Sequence, residues 1–231
     1  MIHFLFAAAA AVAAPAPKAD CPDLVTPDAL VCRALKAQKN GDNDAAAQGF
    51  EEAAKASSDK DPKTARMYAA AGNLWIAAGE PGKAALDLDR AIALPGLEAE
   101  QRGEALLDRA RAAEAQNDLK TARAKLTEAA ASISDDPFFW YFSAALAIRE
   151  NDPVTAKAAI GKALTLAPSD PTILFEAGHV ADFTGDHEQA RSYWSRAAAA
   201  DPDGPAGRSA AKAIEMLGVN PSVKKGSEPP K

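Results

Sequence analysis

The sequence predicts an all-α chain in which about five helix–turn–helix hairpins stack into a superhelical array, closed by a C-terminal capping helix. Three observations carry that expectation. Asn117-Asp118 recurs as Asn151-Asp152 and as Gly185-Asp186, a period of 34 residues, and a fixed period of this length marks stacked helical hairpins. Each pair is followed by the same ladder of alanine, large apolar residue and alanine: Ala122, Leu126, Ala129; Ala156, Ile160, Ala163; Ala190, Trp194, Ala197. Alanine is abundant and aromatic residues make up only 6% of the chain, a composition that favours helix over strand.

The first element is a leader. Residues 2–14 are apolar apart from His3, too short a stretch to span a bilayer and suited to the core of a secretion signal. Ala11-Val12-Ala13 is an Ala-x-Ala cleavage site, which makes residues 1–13 a signal peptide, although the leader carries no Lys or Arg. A lead-in segment, residues 14–26, follows. An exported chain with two cysteines, Cys21 and Cys32, is expected to join them in one disulfide that staples the lead-in to the first helix. In a cytosolic chain they would stay two thiols. The expected location is the periplasm, with the cytoplasm as the alternative, and the mature chain is expected to have no integral membrane span.

The array is expected over residues 27–202. Its first two turns, at Gly41-Asp42 and Gly79, carry the same ladder: Ala46, Phe50, Ala53 and Ala84, Leu88, Ala91. They stand 38 residues apart, and 38 separate Gly79 from Asn117, so four extra residues per unit are expected in a loop. Seven residues before each turn sits a small residue: Ala34, Gly72, Ala110, Ala144, Gly178. Four before that sits a larger one: Leu30, Tyr68, Leu106, Trp140, Leu174. Spacings of three and four keep each set on one helical face, and the small residues let antiparallel helices approach closely. The Gly/Asn-Asp pair supplies a residue that tolerates positive φ, then an N-cap. Pro62, Pro137, Pro168, Pro171 and Pro202 are expected between units, where a helix must stop. Residues 203–217 then form a capping helix, with Ala210, Ala213, Ile214 and Leu217 on one face and Gly218 as its stop. The tail, residues 218–231, rich in Pro and Lys, is expected to be disordered.

This pattern of large residue, small residue, Gly-Asp turn, alanine ladder and closing proline resembles the tetratricopeptide repeat family, in an exported bacterial form. The last two units match best, with Pro168 and Pro202 at the closing position; the first three lack that proline. The resemblance implies a right-handed superhelix whose first helices line a concave groove that holds a protein or peptide partner. Carried onto this chain, the family's groove positions include Arg111 in the third unit, Phe138, Tyr141 and Arg149 in the fourth, and Phe175, His179 and Phe183 in the fifth. These are the expected partner-binding residues, with the four rings on one wall, and aromatic and Arg side chains are typical hot spots. Some family members grip a carboxylate with a base and an Asn four apart on a groove helix. Here Asn73 is present, but Ala69 stands where the base belongs, so that clamp is not expected.

Catalysis finds no support. No phosphate-binding glycine loop, Gly-x-Ser-x-Gly elbow or His-Glu-x-x-His occurs. His179, Asp182, Asp186 and His187 form only a loose set, short of a metal site, and no cofactor or metal is expected. The formal net charge is −6, without a basic stripe, which argues against a nucleic-acid partner. The expected function is a non-catalytic interaction scaffold. The alternative is a structural subunit or homo-oligomeric component of a cell-envelope assembly.

Overall fold

The computed structural model describes residues 21–219. The expected signal peptide and all but the first two residues of the expected tail lie outside the described residues. Among those described there are eleven helices and no strand. They are α1 (Pro27–Lys39), α2 (Asn43–Lys55), α3 (Pro62–Ala77), α4 (Pro81–Ala93), α5 (Ala99–Ala115), α6 (Leu119–Ile133), α7 (Pro137–Arg149), α8 (Pro153–Leu166), α9 (Pro171–Phe183), α10 (His187–Ala200) and α11 (Pro205–Val219). Consecutive pairs from α1/α2 to α9/α10 form five antiparallel hairpins. The first helices of neighbouring hairpins also touch, α3 against α5 and α7 against α9, and α11 covers α9 and α10.

One turn, used five times, makes the hairpins. Gly41, Gly79, Asn117, Asn151 and Gly185 all have positive φ, from +58° at Asn151 to +84° at Gly185. The next residue donates its backbone N–H five residues back: Asp42 to Ala37 (3.0 Å), Glu80 to Trp75 (2.9 Å), Asp118 to Ala113, Asp152 to Ala147 and Asp186 to Ala181 (each 2.9 Å). This is the Schellman closure of a helix C-terminus. The same residue then caps the following helix. Asp42, Asp118, Asp152 and Asp186 each accept a backbone N–H three residues on, at 3.0 Å. Glu80 makes no side-chain cap, but Pro81 opens α4, where no N–H is needed.

Packing follows the small-and-large ladder. Ala46, Ala53, Ala84, Ala91, Ala122, Ala129, Ala156, Ala163, Ala190 and Ala197 are all fully buried, and Phe50, Leu88, Leu126, Ile160 and Trp194 are buried between them. The two glycines of the small set face the largest demand. A Cβ on Gly72 would stand 2.4 Å from Leu88 Cγ, and one on Gly178 only 2.1 Å from Trp194 Nε1. Trp140 departs from the pattern: it is half-buried, donates its indole N–H to Ser134 O at 2.7 Å and lies under Lys162 Nζ at 3.9 Å. Its neighbour Phe139 takes the core place instead.

Three expectations need correction. The extra residues of the first two units do not sit mainly in a loop. They lengthen α3 to 16 residues and α5 to 17, against 13 for α1, α7 and α9, because helix continues wherever caps and alanine-rich sequence allow it. Pro62, Pro137 and Pro171 open helices rather than standing between them; each follows an Asp N-cap, and proline's fixed φ suits the first helical turn. The capping helix passes through Gly218 to Val219, since Gly218 does not adopt the positive φ that closes a helix at Gly41, Gly79 and Gly185.

Cys21 and Cys32 form a disulfide with Cα atoms 5.6 Å apart. Arg33 reinforces the staple by donating to the carbonyls of Pro22 (2.6 Å) and Leu24 (2.9 Å). Closing so short a loop is worth roughly 2–3 kcal/mol in the chain-entropy treatment.

The hairpin contact is testable at its tightest point. Trp194 cannot retreat, because its ring is buried and its N–H donates to Phe175 O at 3.0 Å. Gly178→Ala is therefore expected to cost about 1–3 kcal/mol, the usual range for overpacking, whereas the same change at open Gly161 costs nothing or stabilises. Urea denaturation of the two variants checks this.

Candidate functional site

The face expected to hold a partner is built from the first helices of the hairpins, and its expected residues lie on α5, α7 and α9. Phe138 is the most open of the large ones, 46% exposed on the first turn of α7. Its ring meets Tyr141 edge-on at 6.4 Å. Tyr141 is half-buried against the core shared by α7, α8 and α9. Phe175 on α9 is half-buried and meets His179 edge-on at 4.5 Å, and His179 in turn meets Trp194 at 5.5 Å. Burial pushes the His179 imidazole pKa down, against a smaller upward pull from Asp182. Phe183, half-buried, ends α9. Phe138 and Tyr141 thus meet on α7, and Phe175 and His179 meet on α9.

The two arginines of the expected site are engaged. Arg149 donates to the Glu114 carboxylate and backbone oxygen, and to Asn117 Oδ1 at 2.9 Å. It ties the end of α7 to the α5–α6 turn. Arg111 holds Asp108 at 2.8 Å, and Asp108 also accepts from Asn73 of α3 at 2.7 Å. His187 Nδ1 lies 2.8 Å from Asp182 Oδ1, and among the described residues no group of three metal-binding side chains converges.

Two features were not singled out from the sequence. A cavity of about 320 Å³ opens between α3 and α5, lined by Gln38, Arg66, Ala69, Asn73, Glu104 and Asp108. Arg66, Ala69 and Asn73 in the second unit and Glu104 in the third hold groove positions that the family resemblance assigns, which was the available signal. The second is a buried acid, Glu176 on α9, 7% exposed and without a hydrogen-bond or ion-pair partner among the described residues. Burial alone pushes its pKa up to about 7. A carboxylate inside the apolar run Ile173–Ala177 was the available signal. Glu176 also acts on Tyr141, whose phenol pKa is raised first by burial and then by this charge, while Arg111 pulls it down.

Another buried acid lies away from this face. Asp87 on α4 is 2% exposed, and its pKa rises to about 6, mainly by burial and then by the Glu51 charge, against a counter-pull from Arg90. Arg90 reaches one of its oxygens at 3.4 Å, while the other has no partner. The indole N–H of Trp75 lies beside it and lowers its pKa without closing a full hydrogen bond.

The hairpin order, the shared turn and the packed ladder give the chain the fold of tetratricopeptide-repeat structures. No protein-family model matches this chain, and no curated protein matches it. Solved structures share the fold. PilW, described as a widely conserved type IV pilus biogenesis factor, superposes with a TM-score of 0.65 at 19% identity, over 78% of this chain and 80% of that one. MamA gives 0.59 at 19%, over 75% and 90%. YrrB, described as a TPR protein with an unusual peptide-binding site, gives 0.56 at 17%, over 80% and 91%.

The two buried acids set a pH dependence. Both folded pKa values lie above the ordinary 4.5 of Glu and 3.8 of Asp. The folded state therefore holds protons that the unfolded chain releases, and stability falls as pH rises through this interval. Thermal melts are expected to show stability declining from about pH 4 to about pH 7 from these groups. Glu176→Gln and Asp87→Asn are each expected to flatten that decline, which melts at pH 5 and pH 8 check.

Proposed function

We propose that the protein is a non-catalytic scaffold that holds a peptide or protein partner on the concave face formed by the first helices of its hairpins. The observation that carries this reading is the pairing of an open aromatic, Phe138 beside Tyr141, with a cavity in the same groove register between α3 and α5. Rings that are partly covered already lose little side-chain freedom on binding, which is what an anchor needs. Phe175, His179 and Phe183 extend the face along α9. Arg111 and Arg149, held by carboxylates, shape its edge. A peptide-binding site in YrrB, of the same fold, supports the mode of action.

We also propose that the chain works in the periplasm after export by its leader. The Cys21–Cys32 bridge supports an oxidising compartment. None of the described helices is long and apolar enough to cross a membrane.

Two outcomes test these readings. With a partner captured by pull-down, Tyr141→Ala or Phe175→Ala is expected to weaken binding by roughly 2 kcal/mol in isothermal titration while the circular dichroism spectrum is kept; unchanged binding sinks the face assignment. Intact-mass spectrometry on protein from the source cell's envelope fraction is expected to show a chain lacking residues 1–13 and two hydrogens lighter than the dithiol. A full-length chain with free thiols, found only in cytosol, removes export.

A further inference from the structure

The charges of the concave face are unevenly matched. Its arginines are engaged: Arg66 with Glu98 (3.4 Å), Arg111 with Asp108 (2.8 Å) and Arg149 with Glu114. Two acids on the same face have no such partner among the described residues. Glu104 lines the α3–α5 cavity, and its pKa is raised by burial and then by Glu100, Asp108 and Asp136. Glu176 is the buried acid of α9 beside Tyr141. Glu176 is held out of water, where an unpaired carboxylate is costly unless a cation reaches it, and Glu104, exposed at the cavity, stands in the field of Glu100, Asp108 and Asp136.

We propose that the partner is a basic, extended segment of another protein, whose cationic side chains pair with Glu104 and Glu176 while its backbone crosses Tyr141. This rests on the concave-face reading above and adds the chemistry of what binds there. The α7 helix lies between the two acids. An extended chain of about six residues spans roughly 20 Å, a reach that can pass from α5 over Tyr141 to α9. Tyr141 lies within electrostatic reach of both Arg111 on α5 and Glu176 on α9, so it sits where the segment must cross. The ring can pack on a lysine stem or face an ammonium.

Fluorescence anisotropy with two extended probe peptides tests this. One carries two lysines about six residues apart, the other glutamates at the same places. The lysine probe is expected to bind the full chain at least about tenfold more tightly. Glu104→Gln and Glu176→Gln are each expected to weaken it about tenfold, while Glu188→Gln, an exposed acid on α10, leaves it unchanged. Removing the buried charge of Glu176 relieves its desolvation, so a loss of binding there is not a loss of fold.

Equal binding of both probes, or a lysine probe indifferent to both Gln changes, overturns the basic partner. The concave-face reading survives that result if Tyr141→Ala still weakens both probes. Binding indifferent to Tyr141→Ala as well removes both readings. If Lys224→Glu with Lys225→Glu raises the affinity for the lysine probe about tenfold, the chain's own basic segment is the occupant, and the separate partner is overturned.

Discussion

The array depends on how closely the two helices of each hairpin approach. At Gly72 and Gly178 the gap is too narrow for a methyl group, since Leu88 and Trp194 fill the space a Cβ would take. At Ala34, Ala110 and Ala144 the side chain is fully buried. Small residues on one helix and a large one on the other make a contact that cannot slide, because a shifted register would set large against large. Each hairpin is thereby a fixed unit, and five such units stack in series. Stability in such an array is a sum of hairpins and their interfaces, so no single central core is required. The four separate clusters of buried residues reflect this.

The turn makes the unit possible with few residues. One position of positive φ closes the first helix, and one Asp completes that closure and starts the second. Gly and Asn share the first position because both tolerate the left-handed region. Glu80 shows the margin of the design. It has lost the side-chain cap, and Pro81 offsets the loss by removing a donor that needed one.

The face itself is less economical. Polar groups there tie neighbouring units together, as Arg149 does from α7 to the α5–α6 turn and Asn73 does from α3 to Asp108. Glu176 and Asp87 oppose the fold above their pKa values, and Asp87 does so away from the proposed site. Glu176 lies within it. A fold built from alanine has room for such a charge because its interfaces are thin, and a group one turn from the groove is already out of water.

The sequence by itself determined the hairpins, their turns and the alanine-and-large ladder of the core, because those depend on local spacing and on side-chain size. Ala122, Leu126 and Ala129 had to be core in any stacking of this period. The Cys21–Cys32 bridge was also legible as an expectation, from residue count and context. Only the tertiary structure decided how the face is used. Phe138, Tyr141, Phe175 and Phe183 are all expected groove positions of the repeat, yet they differ in cover: Phe138 is exposed and the other three are half-buried. Arg149 and Arg111 look alike as free cations in the sequence, and both are held by carboxylates from other positions. The isolation of Glu176 was invisible for the same reason. Whether a charge has a partner depends on what three helices bring within reach, and no spacing along one helix records that.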